Sequence, residues 1–305
     1  MPADRSSAVT QRRLPRTWIV GDDKVGLAES ANRRERRPCY RQRMDGGRDS
    51  LARSPDRALD PIAACWLGRI AYREAWALQR RLVDARAGDE IPDTLLLLEH
   101  DAVLTLGKNA VDGHVLASPR DLRRRGIEVL RVERGGEVTY HGPGQLVAYP
   151  ILRLGERGLL VRPFVRALEE AMIETCAAFG VEATRRDGHP GCWVMEEGRP
   201  ARKLGALGIR IERGVSYHGI ALNVDPDLRD FELIDPCGVP GLVSTSIAEE
   251  LGRTAEPPTT EVVRRAAGIF ARVLGSALGS SIAWQTPESV GAPATQGEPV
   301  GIGSA

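Results

Sequence analysis

The sequence predicts an α+β fold in which helices flank a mixed, mostly antiparallel sheet. The first observation is that predicted strands follow one another, with residues 192–195, 204–211 and 215–224 joined by short turns. The second is that amphipathic helices, at residues 72–86 and 162–179, separate such clusters. Runs of strands interrupted by helices, rather than a strict alternation of strand and helix, are typical of an antiparallel or mixed sheet.

Helices are predicted where apolar side chains recur every three or four residues. The start of the second helix is marked by its own residues, because Ser118 suits the N-cap and Pro119 suits the first helical position. Gly180 is the expected stop of the third helix. The four predicted helices span residues 72–86, 119–126, 162–179 and 260–278.

Strands are predicted from short apolar runs and from alternation of apolar and polar residues. The turn at Arg213 and Gly214 joins the last two of them into a hairpin. The glycine-rich stretch before residue 145 is predicted to be a bare loop that leads into a core strand. The predicted strands span residues 94–98, 127–132, 145–152, 192–195, 204–211 and 215–224.

One folded domain is expected over residues 61–285, between two disordered segments. Residues 1–60 carry thirteen arginines and one lysine against nine acidic residues and show no hydrophobic periodicity. They are expected to be dispensable for catalysis. Residues 286–305 are rich in Gly, Pro, Ala and Ser, which is typical of a disordered tail.

Composition excludes several classes of protein. A formal net charge of +1 argues against a nucleic-acid-binding protein. The five cysteines are scattered without a Cys-x-x-Cys pair, which argues against a disulfide framework or a zinc knuckle. No run of apolar residues is long enough for a transmembrane helix, and the N-terminus lacks the apolar core of a signal peptide. We therefore expect a cytoplasmic protein with no membrane partner.

The most unusual segment runs from Arg134 to Pro150. Four glycines surround a histidine, a tyrosine and an arginine within eleven residues of it. Glycine weakens regular structure and is placed where the backbone must bend or approach another group closely. The segment therefore predicts a ligand-binding loop, and the alternative is a glycine-rich hairpin around a core histidine.

Three further motifs follow this segment in order. They begin at Lys203 (Lys-x-x-Ala-Leu-Gly), at Ser216 (Ser-Tyr-His-Gly-Ile-Ala-Leu-Asn) and at Asp235 (Asp-Pro-Cys-Gly). Together with the glycine-rich segment they resemble the lipoyl(octanoyl) transferases, from about residue 66 to residue 278. The resemblance implies the catalytic fold of biotin and lipoate protein ligases, and hence an acyltransferase domain over residues 61–285.

Cysteine is the natural nucleophile for acyl transfer from a thioester, because exchange of one thioester for another is nearly isoenergetic and the thiolate is reactive. Cys237 is the best candidate of the five, since Pro236 and Gly238 fix and expose its backbone. The residues alone leave an inert loop thiol as the alternative. The resemblance assigns the nucleophile to Cys237, on which the family's Pro-Cys-Gly motif falls.

Lys203 stands at the head of an apolar strand, where a lysine is usually a solvated edge residue. The resemblance instead places the family's catalytic lysine here. An ammonium near a thiol favours the thiolate, and the same group can move a proton when an amine attacks. The fold would have to bring Lys203 and Cys237 together.

The resemblance also implies three substrate-contact segments. Their small residues would let the backbone approach an acyl chain and donate N–H groups to its carbonyl. The residues concerned are Arg134, Gly135, Gly136, Glu137, Val138, Thr139, Tyr140, His141, Ala206, Leu207, Gly208, Gly219, Ile220 and Ala221.

His141 and His218 are each followed by a glycine. Each could be a general base, a hydrogen-bond anchor or a satisfied core group, and the resemblance implies that both line the acyl site. Their spacing does not suggest a metal site, because there is no His-x-x-x-His and no cluster of carboxylates.

The resemblance implies transfer of an octanoyl group from octanoyl-acyl carrier protein to a lysine of a lipoyl domain. The acceptors would be the lipoyl domains of 2-oxoacid dehydrogenases and the glycine cleavage H protein. A thioester is already activated, so neither a cofactor nor a metal is expected. The alternatives are an ATP-dependent lipoate or biotin ligase, which would not require a cysteine, and a non-catalytic module that binds carrier proteins or lipoyl domains.

Overall fold

A computed structural model describes residues 59–253 and 259–292, which form twelve strands and five helices. The strands are β1 Ile62–Ile70, β2 Thr94–His100, β3 Val103–Leu106, β4 Glu128–Arg131, β5 Val138–His141, β6 Gln145–Ile151, β7 Thr184–Arg186, β8 His189–Val194, β9 Arg202–Glu212, β10 Val215–Asn223, β11 Val243–Ser244 and β12 Ile282–Gln285. The helices are α1 Tyr72–Ala87, α2 Pro119–Arg125, α3 Val161–Ala178, α4 Ile247–Glu250 and α5 Thr260–Ala277.

The large sheet has the order β12-β1-β2-β6-β10-β9-β8-β7, and β11 pairs with β9 outside this path. The pairs β12–β1, β1–β2 and β11–β9 are parallel, and the remaining pairs are antiparallel. A small sheet, β4-β3-β5, lies beside it. The prediction of a mixed, mostly antiparallel sheet flanked by helices is therefore confirmed.

The central strands β2, β6 and β10 of the large sheet are buried on both faces. Along β2, Leu95 and Leu97 pack in one core cluster with α3 and α5, whereas Leu96 and Leu98 pack in a second cluster with α1. This division follows from the pleat, which sends successive side chains to opposite faces. His218 departs from the alternation. Its φ of 53° turns its ring toward Tyr149 and Tyr217, on the α1 face.

The helix boundaries that were predicted most accurately are set by capping interactions within one turn of the helix end. Ser118 accepts a hydrogen bond from the backbone N–H of Asp121, and Gly126 ends the helix at a φ of 68°. The sequence predicts this N-cap and an end of the helix near Gly126, and the structure adds that Gly126 is a left-handed C-cap. The helices at residues 72–86, 162–179 and 260–278 are confirmed to within one residue at each end.

Two parts of the sequence-based prediction are corrected. The glycine-rich stretch is not wholly a loop, because Val138–His141 is strand β5, paired with β3. At the start of the expected tail, Glu288–Val290 forms a 3₁₀ turn and Ala292 is buried in the second core cluster. Strand β1 was missed, because its small apolar residues are buried on both faces and show no alternation.

Most of the expected N-terminal extension, residues 1–58, lies outside the described residues, as do residues 293–305. Among the helices that the structure describes, none has the length and apolarity needed to cross a membrane.

Gly219 is required where β10 pairs with β6. A Cβ at this position would lie 2.0 Å from the backbone oxygen of Ala148, so a strand would have to shift. We expect Gly219→Ala to lower the free energy of unfolding by about 1–3 kcal/mol, measured by urea denaturation. Gly268 in α5 is the matched control, because a Cβ there meets nothing within 4 Å. Gly268→Ala should raise stability by up to about 1 kcal/mol. Equal midpoints for the two variants would contradict the packing argument.

Candidate active site

The structure brings Lys203 and Cys237 into direct contact. The Nζ of Lys203 lies 3.0 Å from the Sγ of Cys237, although the two residues are 34 positions apart. Lys203 is only 8% exposed. An ammonium removed from water needs an anionic or hydrogen-bonding partner, and a thiolate is one that it can stabilise directly.

Lys203 is held in place from three sides. It is the second residue of β9, and Ser244 of β11 pairs with it while the N–H of Thr245 donates to its carbonyl over 3.0 Å. Its ammonium lies 5.0 Å from the ring centroid of Trp193. A Cβ on Gly191 would lie 3.1 Å from the Cε of Lys203, so the absence of a side chain at Gly191 gives the lysine stem its room.

Cys237 occupies a strained turn. It is the central residue of a 3₁₀ turn, Pro236–Gly238, and its φ of 58° lies in the left-handed region. A non-glycine residue in this region costs of order 1–3 kcal/mol and persists only where surrounding contacts determine it. The N–H of Gly238 donates to the carbonyl of Asp235 over 2.9 Å, which closes the turn. The thiol is thereby presented to the lysine rather than packed in the core.

Cys237 and Lys203 both line a narrow cavity of about 10 Å³, which has room for about one water molecule. Small and polar side chains dominate the rest of the wall, including those of Thr139, Gln145, Ala206, Ala221 and Asn223.

A chain of amide hydrogen bonds supports the cavity wall. Gln145 donates to the backbone oxygen of Tyr140 over 3.2 Å and to the Oδ1 of Asn223 over 2.9 Å. Both donors of its amide are then used, so its Oε1 accepts from the Nδ1–H of His141 over 2.7 Å. Asn223 in turn donates to the carbonyl of Thr245 over 2.8 Å. The chain ties β5, β6 and β10 to the segment that follows β11.

Three buried histidines lie behind this wall and are held neutral. Burial lowers the pKa of His100 to about 4 and that of His218 to about 3. Burial lowers the pKa of His141 well below its usual value, and the neighbouring His100 and Arg134 lower it further. Neutral imidazoles can serve as hydrogen-bond donors and acceptors here but carry no charge at neutral pH.

Arg134 anchors the glycine-rich turn from within. Its buried guanidinium donates to the carbonyl of Thr105 over 2.6 Å, to the hydroxyl of Thr105 over 2.8 Å and to the carbonyl of Gly135 over 3.0 Å. Burial also lowers its pKa. Gly135 donates to the carbonyl of Ile209, and a Cβ on Gly208 would lie 2.7 Å from the oxygen of Gly135. The turn therefore packs directly on β9.

Some of the predicted substrate-contact residues line the cavity, and others do not. Thr139, Ala206 and Ala221 line the cavity together with Lys203 and Cys237. Val138 and Tyr140 face the opposite side of β5 and belong to the core cluster under the small sheet, where the Tyr140 hydroxyl donates to Asp230 over 2.7 Å. The remaining predicted contacts do not border the cavity. They are Arg134, Gly135, Gly136, Glu137, His141, Leu207, Gly208, Gly219 and Ile220.

Sequence reasoning did not single out several residues that border the cavity. Gln145 and Asn223 stand inside the quoted motifs, and a polar amide at the end of an apolar strand was the signal that could have identified them. Phe231 lies in a 3₁₀ helix before the Cys237 turn, and no sequence feature marks it. Gly205, Pro236 and Ser244 complete the wall.

Comparison with known proteins fits this arrangement. The model of the lipoyl protein ligase A/B catalytic domain matches residues 71–270. An octanoyltransferase of Acidobacterium capsulatum is 51% identical over 219 residues, which cover 68% of this chain and 88% of the relative. The chain belongs to the octanoyltransferase family. An octanoyltransferase of Chloroflexus aggregans is 49% identical over 200 residues, or 65% of this chain and 88% of that protein. The enzyme is accordingly an acyltransferase.

The fold has relatives of known structure. A lipoate-protein ligase A bound with ATP aligns with a TM-score of 0.56 at 17% identity, covering 75% of this chain and 92% of the ligase. At this level of identity the likeness shows the fold alone. The expectation of a fold like that of lipoate ligases is thus confirmed.

The contact between Lys203 and Cys237 predicts how the thiol reacts. Removing the ammonium in Lys203→Ala should slow alkylation of Cys237 by iodoacetamide at neutral pH, because the thiolate loses the cation in contact with it. Lys203→Arg keeps a positive charge and should slow the reaction less. The rates are read from the mass gain at Cys237 over time. A rate for Lys203→Ala equal to that of the unaltered protein would exclude this electrostatic role.

Proposed function

We propose that this enzyme takes an octanoyl group from octanoyl-acyl carrier protein onto Cys237 and passes it to a lysine of a lipoyl domain. The observation that carries the proposal is the 3.0 Å contact between Lys203 and Cys237 at the wall of the cavity. The family to which the chain belongs supports the octanoyl group. The acceptors would be the lipoyl domains of 2-oxoacid dehydrogenases and the glycine cleavage H protein, and the setting would be the cytoplasm.

The first half-reaction forms the acyl-enzyme. The thiolate of Cys237 attacks the thioester carbonyl carbon of the donor, and a new carbon–sulfur bond forms. The donor's carbon–sulfur bond then breaks, and the carrier leaves as a thiolate that takes up a proton from solvent, matching the proton that Cys237 gave up to solvent. One thioester replaces another, so the step is nearly isoenergetic. Neither ATP nor a metal enters this balance.

The second half-reaction consumes the acyl-enzyme. An acceptor amine attacks the carbonyl carbon of the Cys237 thioester, the amide bond forms, and the Cys237 thiolate is released. The ammonium of Lys203 stabilises this leaving group because it lies beside the sulfur.

A thioester on Cys237 is directly testable by mass. After incubation with octanoyl-acyl carrier protein, the unaltered enzyme should gain one octanoyl group that maps to Cys237. Cys237→Ala should lose both the adduct and at least about 10³-fold of the transfer rate, because the covalent route is removed. Cys192→Ala is a suitable control, since Cys192 is fully buried beside Cys176. Full activity of Cys237→Ala, or activity that requires ATP, would favour a ligase instead.

A basic surface on α2 is suited to an acidic carrier protein. Arg124, Arg125 and Arg131 already form ion pairs with Asp121, Asp230 and Asp112. The side chains of Arg120 and Arg123 are exposed and have no ion-pair or hydrogen-bond partner among the described residues. The ion pair to Asp230 joins α2 to the 3₁₀ helix that contains Phe231, so this surface lies close to the cavity.

Charge reversal of the two unpaired arginines tests donor recognition. The double variant Arg120→Glu, Arg123→Glu should lower the apparent association rate of octanoyl-acyl carrier protein by about 10-fold at low salt and flatten its dependence on ionic strength. Transfer from a small octanoyl thioester should be little affected. Arg162→Glu, at an exposed position of α3, serves as the control. Equal losses with both donors would show that these arginines support the fold rather than the encounter.

A further inference from the structure

The narrow cavity beside Cys237 is bordered by hydrogen-bond donors that the fold leaves unpaired. Its volume of about 10 Å³ is that of a single water molecule. Cys237 and Asn223 both border this space, so an oxygen atom within it would be in reach of both residues. A space of this size beside a nucleophile suits the oxygen of a reacting carbonyl group.

One N–H of the Asn223 side-chain amide is unpaired. Its Oδ1 accepts from Gln145 over 2.9 Å, and its Nδ2 donates to the carbonyl of Thr245 over 2.8 Å. The amide nitrogen carries two hydrogens, and the second has no partner among the residues that the structure describes. The side chain is only 4% exposed. A buried donor without a partner is costly, and its place in the wall of the cavity points to a functional role.

The orientation of this amide follows from its neighbours. The carbonyl of Tyr140 needs a donor, so the Nε2 of Gln145 faces it over 3.2 Å. The other N–H of that Nε2 needs an acceptor, which places the Oδ1 of Asn223 toward Gln145. The carbonyl of Thr245 independently requires the Nδ2 of Asn223 on its own side. Both requirements agree, so the unpaired N–H is a consequence of the hydrogen-bond network.

The backbone N–H of the nucleophile is a second unpaired donor. In the turn, the N–H groups of Gly238 and Val239 donate to the carbonyls of Asp235 and Pro236 over 2.9 and 3.1 Å. The N–H of Cys237 between them has no partner within the part of the chain that the structure describes. Backbone N–H groups at a nucleophile are suited to stabilise charge on the oxygen of an attacked carbonyl.

Both half-reactions place negative charge on the carbonyl oxygen. When the thiolate or the acceptor amine attacks the carbonyl carbon, the electrons of the carbon–oxygen π bond move to the oxygen. Lys203 lies beside the sulfur, so its ammonium serves the thiolate and the movement of protons. The oxygen requires donors of its own, and donors that are already in place stabilise it most in a site with little water.

We propose that the unpaired N–H of Asn223 and the backbone N–H of Cys237 form the oxyanion site of both half-reactions. This inference rests on the proposed function. As the new carbon–sulfur or carbon–nitrogen bond forms, the carbonyl oxygen takes up the π electrons, occupies the water-sized space and accepts the two hydrogen bonds. The electrons return to the carbon–oxygen bond when the carrier thiolate, or later the Cys237 thiolate, leaves. No proton moves to the oxygen, and Lys203 keeps its part in proton transfer.

Two reactions of the same thiolate test this assignment in the full-length enzyme. Acylation of Cys237 by a small octanoyl thioester forms an oxyanion, whereas alkylation by iodoacetamide displaces iodide and forms none. Both rates depend on the thiolate population, so their ratio cancels any change in that population. In Asn223→Leu the ratio of acylation to alkylation should fall by about 10²-fold, a usual cost of removing one oxyanion donor. The mass gain at Cys237 over time gives both rates.

A second variant and a matched control separate the donor from the structure around it. Asn223→Asp keeps the shape of the side chain and the acceptor for Gln145 but has no N–H, and its ratio should fall at least as far. Gln145→Met is the control, since Gln145 borders the same cavity and belongs to the same amide chain, but both of its donors are already used. Its ratio should stay within about threefold of that of the unaltered enzyme, even if both rates fall.

The second half-reaction gives an independent measurement. When the octanoylated enzyme is isolated and mixed with a lipoyl domain, single-turnover transfer should slow in Asn223→Leu by a factor similar to that for acylation, because the same oxygen uses the same donors. Transfer at the rate of the unaltered enzyme would overturn the role of Asn223 in this step.

Failure of the inference and failure of the proposed function give different results. If the unaltered enzyme forms no adduct on Cys237, the proposed function fails. If it forms the adduct and both Asn223 variants keep the ratio of acylation to alkylation, the inference alone fails. An equal fall of the ratio in Gln145→Met would also overturn the inference, because the loss would then come from the amide chain and not from the unpaired donor.

Discussion

The contact between the ammonium of Lys203 and the sulfur of Cys237 is the constraint on which the site depends. This contact joins the start of β9 to a turn that follows β10. Neither segment alone would fix the position of the side chain on the other. The short pairing of β11 with β9 brings the chain back beside Lys203. Arg202 supports this return, since it makes two 2.8 Å hydrogen bonds to Glu250, whose carboxylate also accepts from Thr245. The surface network thus stabilises a buried cation that would be costly without its partner.

The interior behind the cavity is polar, and its histidines carry no charge. His100, His141 and His218 are kept neutral by burial, and the amide chain through Gln145 and Asn223 uses the donors and acceptors that strand pairing leaves free. Arg134 is a buried cation of this region, and it is turned toward the carbonyl oxygens of Thr105 and Gly135. Such an interior fixes the wall by hydrogen bonds, and Lys203 is the cation in direct contact with the sulfur.

Much of the fold could be predicted because local chemistry specifies it. The cap residues Ser118 and Gly126 act within one turn of their helix, and the apolar spacing of α3 needs no tertiary information. Strand β5 could not be recognised, because four residues beside glycines become a strand only through pairing with β3. Likewise, Pro236 and Gly238 mark Cys237 as exposed, but no spacing rule links it to Lys203. The family resemblance supplied that link. The amides of Gln145 and Asn223 were missed, because their role depends on a partner from another strand.

Three glycines shape the site because a side chain at any of them would occupy space that neighbouring atoms fill. Gly191 leaves room for the Lys203 stem, Gly205 lies against Met172 and Cys192, and Gly238 admits the ring of His114. A substitution at any of these positions would force neighbouring atoms to move, since each added Cβ would meet atoms at 3.1 Å or less. The shape of the cavity is therefore more easily altered at the small side chains that border it, Thr139, Ala206 and Ala221.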